Sequence, residues 1–205
     1  MSDIRSTVFV VDDDASVRES LRFLVESAGW HAEAFSTGQE FLSHRRAMAP
    51  SCLILDLYLP DINGLDLQLL VADRTDMPVI LISGHGDVPI TVRAMKAGAV
   101  TFLTKPLVAD ALLAEIRSAI DRSRAELERA ARMHALRDSY SALSRREQEV
   151  MALIVEGRLN KQVGCELGIS EITVKAHRGR MMRKMMAVSL PDLVKKAVQL
   201  TVTRL

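Results

Sequence analysis

Thr7-Val8-Phe9-Val10-Val11-Asp12-Asp13-Asp14 is an apolar run that stops abruptly in three acidic residues. Five consecutive apolar or β-branched residues before a polar break fit a strand buried on both faces. The pattern recurs. Cys52-Leu53-Ile54-Leu55 ends in Asp56, Pro78 to Ile82 ends in Ser83, and Thr101 to Leu103 ends in Thr104-Lys105-Pro106. Ala32–Phe35 is a fifth, weaker strand. Between the first two strands, Ala15–Ala28 places Val17, Leu21, Leu24 and Val25 at helical spacing. Strands alternating with amphipathic helices call for a parallel sheet covered on both faces, and right-handed crossovers leave a doubly wound five-stranded sheet as the natural topology.

Ligands of such sheets collect at the carboxyl ends of the strands. Here those ends carry Asp12, Asp13, Asp56, Ser83 and Lys105. Three carboxylates brought to one edge cannot all remain ionised without a cation. Hard oxygen donors in an open, hydrated site suit Mg²⁺ (or Mn²⁺). Asp56, held at the end of a wholly apolar run, can act as a nucleophile toward a phosphoryl group, with Lys105 neutralising the transferred oxygens. Solvated aspartates at helix N-caps are the plainer reading of any one of these residues, but they do not account for complementary polar groups at four strand ends.

These motifs carry a family resemblance. Val10 to Asp14, Leu55-Asp56-Leu57-Tyr58-Leu59-Pro60-Asp61-Ile62-Asn63-Gly64, Ile82 to Gly86 and Lys105-Pro106 resemble the receiver domain of two-component response regulators. Gly84-His85-Gly86-Asp87-Val88-Pro89 and Ala94 to Ala99 narrow it to the FixJ subfamily. The resemblance implies a flavodoxin-like α/β domain with strand order 2-1-3-4-5 and a cis Lys105–Pro106 bond. It makes Asp56 the phosphorylation site, with Asp12, Asp13, Asp56 and the Tyr58 backbone carbonyl serving the metal. Ser83 and Lys105 would bind the phosphoryl group, and Phe102 would hold the aromatic switch position without a hydroxyl. Tyr58 and His85, each two places beyond a pocket residue, are candidates for setting the rate of dephosphorylation.

The rest of the chain has a different character. Residues 1–140 hold 15 Lys and Arg against 20 Asp and Glu, whereas residues 141–205 hold 12 against 6. An acidic front and a basic tail point to a polyanion met by the tail alone. No Gly or Pro occurs from Leu107 to Glu156, so a long helix is expected to lead out of the first domain. The expected organisation is a receiver at 1–122, a largely helical linker at 123–142, and an all-α four-helix domain at 143–205.

In that last domain Ser144-Arg145-Arg146-Glu147 has capping-box form, Gly157 is the expected C-cap, Asn160–Leu167 and Glu171–Met186 flank a Gly168-Ile169-Ser170 turn, and Pro191 opens a last helix. The segment Leu143 to Leu200 is similar to the LuxR-type helix-turn-helix. Val174, Met181 and Met185 should pack inward, leaving another face of that helix for a DNA major groove. The resemblance makes Lys175 and Ala176 base readers and Lys161 and Thr173 phosphate contacts. Arg178 is a further candidate, beside a Gly179 that departs from the basic residue often found there.

The implied partners are a sensor histidine kinase, double-stranded DNA, a second copy on activation through the region from Val88 to Ile120, and RNA polymerase. A membrane span is not expected, since no run approaches about 18 apolar residues. The early acidic cluster argues against a signal peptide, and two widely spaced cysteines, Cys52 and Cys165, fit buried thiols in a reducing cytoplasm. An aspartate-based phosphatase shares the nucleophile, but it needs an acid two residues later, where Tyr58 stands. A regulator that ignores phosphorylation is disfavoured by the complete pocket. The expectation is therefore a transcription regulator and not an enzyme, beyond slow self-dephosphorylation.

Overall fold

In a computed structural model, residues 5–84 and 88–202 are described. Five strands, β1 (Thr7–Val11), β2 (His31–Phe35), β3 (Ser51–Asp56), β4 (Val79–Ser83) and β5 (Thr101–Thr104), alternate with helices α1 (Ala15–Ser27), α2 (Gly38–Ser43), α3 (Gly64–Leu70) and α4 (Val88–Lys96). Helix α5 runs from Ala109 to Ser141. All strand pairs are parallel, in the order β2-β1-β3-β4-β5. The expected strand order and doubly wound class are what the chain adopts.

Period-two alternation divides each central strand between two cores. Phe9, Val11, Leu53 and Leu55 pack with Phe41, Leu67 and Ala94, the contributions of α2, α3 and α4. Val8, Val10, Cys52 and Ile54 pack with Leu21 and Val25 of α1 and Leu112, Ile116 and Ile120 of α5. Burial on both sides explains why these strands read as unbroken apolar runs. β4 begins at Val79, one residue after the expected Pro78, whose missing N–H cannot join a ladder.

The chain divides into two compact units, one up to Glu128 and one from Arg129. In the second, α6 (Arg145–Val155), α7 (Asn160–Leu167), α8 (Glu171–Lys184) and α9 (Leu190–Val202) enclose Val150, Ile154, Val163, Val174, Met181 and Leu193. Leu136 and Tyr140, near the end of α5, pack against this core. Ser144 and Glu147 form the expected capping box at the start of α6. The α7–α8 turn is tight. Gly168 takes φ +67°, and a Cβ on Gly164 would lie 2.7 Å from the Ile169 carbonyl oxygen. Helix α8 ends at Lys184, two residues before the expected Met186, because Met186 turns to φ +49°.

Candidate functional site

The ends of β1, β3 and β5 bring three acidic side chains and one ammonium together. Carboxylate oxygens of Asp12, Asp13 and Asp56 lie within 4.8 Å of one another. Lys105 Nζ donates to Asp12 Oδ2 at 2.7 Å and to Asp56 Oδ2 at 2.8 Å. Asp12, Asp56 and Ser83 are buried, while Asp13 is exposed. With all three carboxylates ionised, one ammonium leaves the cluster at a net charge of −2. Hard oxygen donors with that residual charge fit a divalent cation.

Local backbone fixes these groups. Asp12 is anchored twice. Its Oδ1 accepts from the Asp14 amide at 2.9 Å, and its carbonyl accepts from Arg18 Nη1 at 2.7 Å. Asp14 caps α1, accepting from the Ser16 amide at 2.8 Å, and is thereby committed to the helix. After Asp56 the chain folds back through a bridge between Tyr58 and Asn63, with the Gly64 amide donating to the Leu57 carbonyl at 2.8 Å. A Cβ on Gly64 would run into the Asp56 carbonyl oxygen and lie 2.8 Å from the Leu57 Cα, so only glycine permits this approach. The Lys105 amide donates to the Ser83 carbonyl at 2.8 Å, and Lys105–Pro106 is cis.

Burial drives the electrostatics. It pushes the Asp12 carboxyl above its usual range, against the opposing pull of Lys105. Burial also works against the Lys105 charge, but the hydrogen bonds to Asp12 and Asp56 outweigh it and hold that pKa above the ordinary lysine value. Phe102 on β5 is partly buried against the core shared with α4. Tyr58 is about half exposed, and its amide lies 3.4 Å from Asp56 Oδ1. His85, the other candidate for dephosphorylation rate, lies outside the described residues.

In the second unit, Lys161 is exposed at the start of α7. On α8, Lys175 and Ala176 are exposed, and Lys175 Nζ pairs with Glu171 Oε1 at 3.0 Å. Thr173 is half-buried, its hydroxyl 2.8 Å from that of Ser170. Arg178 is half-buried too, with Nη1 donating to Asn160 Oδ1 at 3.2 Å. Arg178 therefore clamps α8 to the first residue of α7. Val174, Met181 and Met185 are buried, as their spacing requires.

Sequence reasoning did not single out Arg18, the contact between Arg178 and Asn160, or the Glu147–Lys184 pair, whose atoms meet at 2.6 Å. The capping-box motif pointed to Glu147 but not to its ion partner, because nothing local ties positions 37 residues apart.

Residues 8–117 match the family described as response regulator receiver domain, and residues 141–197 match the family of bacterial regulatory proteins, luxR family. The chain is 45% identical over 196 residues to the response regulator protein TodT of Pseudomonas putida, covering 95% of this chain and 86% of that one. It is 40% identical over 192 residues to the transcriptional regulatory protein FixJ of Azorhizobium caulinodans, covering 93% and 91% respectively. Among solved structures it resembles the response regulator StyR, with a TM-score of 0.86 and 43% identity over 95% of this chain and 99% of that one.

Proposed function

The chain belongs to the FixJ-type response regulators, transcription regulators that join a receiver domain to a LuxR-type DNA-binding domain, and we infer from this that Asp56 is its phosphoacceptor. The observation that carries this reading is the Lys105 ammonium held between Asp12 and Asp56, with Asp13 alongside. A partner histidine kinase presents a phosphohistidine. An Asp56 carboxylate oxygen bonds to phosphorus as the bond from phosphorus to the imidazole nitrogen breaks, and the imidazole leaves with the electron pair. Asp12, Asp13, Asp56 and the Tyr58 backbone carbonyl would hold Mg²⁺ or Mn²⁺. When bound, the cation supplies positive charge to the transferring oxygens. Lys105 then exchanges its hold on the bare carboxylate for one on the phosphoryl group, and Ser83 hydrogen-bonds another of its oxygens.

Phe102 transmits the change by its packing alone, since it has no hydroxyl. Val88, Val92 and Met95 are exposed on α4 and suit the face through which two phosphorylated copies associate. The pair then places two copies of α8 in successive major grooves, as the two-fold symmetry of paired half-sites favours. In this reading Lys175 and Ala176 serve the bases, Lys161 and Thr173 position the phosphates, Arg178 holds α8 in place through its hydrogen bond to Asn160, and bound protein meets RNA polymerase. No described helix is long and apolar enough to cross a membrane. The proposed setting is the cytoplasm, and the proposed action is stoichiometric, with water clearing the phosphoryl group at a rate set by Tyr58 and His85.

Treatment with a small phosphodonor and Mg²⁺ tests the reading. Wild-type protein is expected to take up one phosphoryl group, dimerise in sedimentation and bind DNA at least ten-fold tighter, an effect of about 1.4 kcal/mol. Asp56→Ala is expected to do none of these. Uptake that persists in Asp56→Ala would remove Asp56 from the role.

A further inference from the structure

Ile172 is 81% exposed at the second position of α8. A single exposed aliphatic residue ordinarily needs no explanation. Its place on the helix supplies one. At about 100° per residue, Val174 and Met181, the buried side of α8, lie about 180–200° around from Ile172. Ile172 therefore stands at the middle of the outward face, and Lys175, Ala176 and Gly179 fall within about 60° of it. Those four residues form one stripe, spaced i, i+3, i+4 and i+7.

The stripe has an uneven relief. Ala176 carries one methyl group, and Gly179 has nothing within 4 Å of where a Cβ would be. Only Ile172 and Lys175 protrude. Arg178, the next basic side chain, is turned to Asn160. The Lys175 ammonium is drawn toward the N-terminus of α8 by Glu171, one residue from Ile172. The two protruding side chains thus stand together in the first turns of the helix, the part of a recognition helix that meets base edges. Low central residues let the helix axis approach the groove floor, bringing a short aliphatic side chain within reach of it.

One base-edge group in the major groove is apolar, the 5-methyl of thymine. We propose that Ile172 is a specificity-determining residue that packs on a thymine 5-methyl group, beside the base read by Lys175. The inference rests on the reading that α8 enters the major groove. The basic balance of residues 141–205, 12 Lys and Arg against 6 Asp and Glu, favours DNA over an apolar protein partner at this face. Ile172 has no counterpart among the phosphate contacts, since it offers no hydrogen bond.

The test uses the full chain with phosphodonor and Mg²⁺, and duplexes enriched by the wild type from a random-sequence pool. Each thymine of the enriched site is replaced in turn by deoxyuridine, which removes only the methyl group. One replacement per half-site is expected to weaken wild-type binding about four-fold, the value of one buried methyl. Ile172→Ser should be indifferent to that replacement and should enrich sites without a fixed thymine there. Ile172→Val, which keeps a branched aliphatic surface, should retain the preference. The exposed position allows Ile172→Ser to fold, which an unchanged melting temperature verifies. If Lys175→Ala alters the enriched sequence but no deoxyuridine effect disappears in Ile172→Ser, the proposal falls and the major-groove reading stands. If neither substitution changes the enriched sequence, both fall.

Discussion

At the scale of single residues, Gly64 governs where Asp56 sits. The chain returns from Tyr58 so closely that a Cβ on Gly64 would overlap the Asp56 carbonyl and the Leu57 backbone. Those neighbours are main chain at the end of a buried strand and cannot swing aside. Gly64→Ala is expected to destabilise the receiver by about 2 kcal/mol, the usual range for overpacking, and to displace the Asp56 carboxylate from Lys105. Thermal melting reads the first effect. Phosphoryl uptake from a small donor, measured well below the melting temperature, reads the second and should fall. Undiminished uptake would mean that the strand end is set by its ladder alone.

Among the elements, α6 depends on a side chain that both caps it and pairs outside it. Glu147 is buried, accepts from the Ser144 amide at 2.9 Å and meets Lys184 of α8 at 2.6 Å. The hydrogen bond from Lys184 and that from Ser144 hold its carboxyl below the usual range. A lowered folded pKa gives stability that is complete above the unfolded value of about 4.3 and is lost as pH falls through the folded value. Glu147→Gln should therefore cost the second unit about 2 kcal/mol at pH 7, with the gap between wild type and variant closing under acid below about pH 4. Melting curves across that pH span check it; a gap independent of pH would assign the loss to packing.

The same elements show what the sequence disclosed and what it withheld. β1 and β5 were legible to the residue, because apolar runs bounded by polar breaks need only local information. β2 gained His31, whose amide donates to the Ser6 carbonyl at 3.0 Å, a partner supplied by tertiary pairing. In the candidate site, the acidic strand ends were legible because chain order carries each carboxylate to the same edge. Arg18 on the Asp12 carbonyl and Arg178 on Asn160 were not, since side-chain reach between helix and loop leaves no periodic trace.

For the whole molecule, the division of charge is the governing feature. The basic excess belongs to residues 141–205, so DNA affinity should fall steeply with salt through counterion release. Lys161→Ala is expected to weaken enriched and random duplexes alike and to reduce the slope of log affinity against log salt by about one. Titrations from about 50 to 200 mM salt, the span over which such contacts weaken by orders of magnitude, measure this. A change confined to the enriched site would make Lys161 a base reader.

The two cysteines give the protein a built-in reporter. Cys52 is sealed in the receiver sheet, where burial pushes its thiol up to about 12, whereas Cys165 is exposed on α7. A maleimide dye added to the native chain should attach once, at Cys165, and so watch DNA engagement without any engineered handle. A second dye should attach only when the receiver opens, and the pace of that slower labelling then times how often the sheet comes apart and how far phosphorylation lengthens the interval.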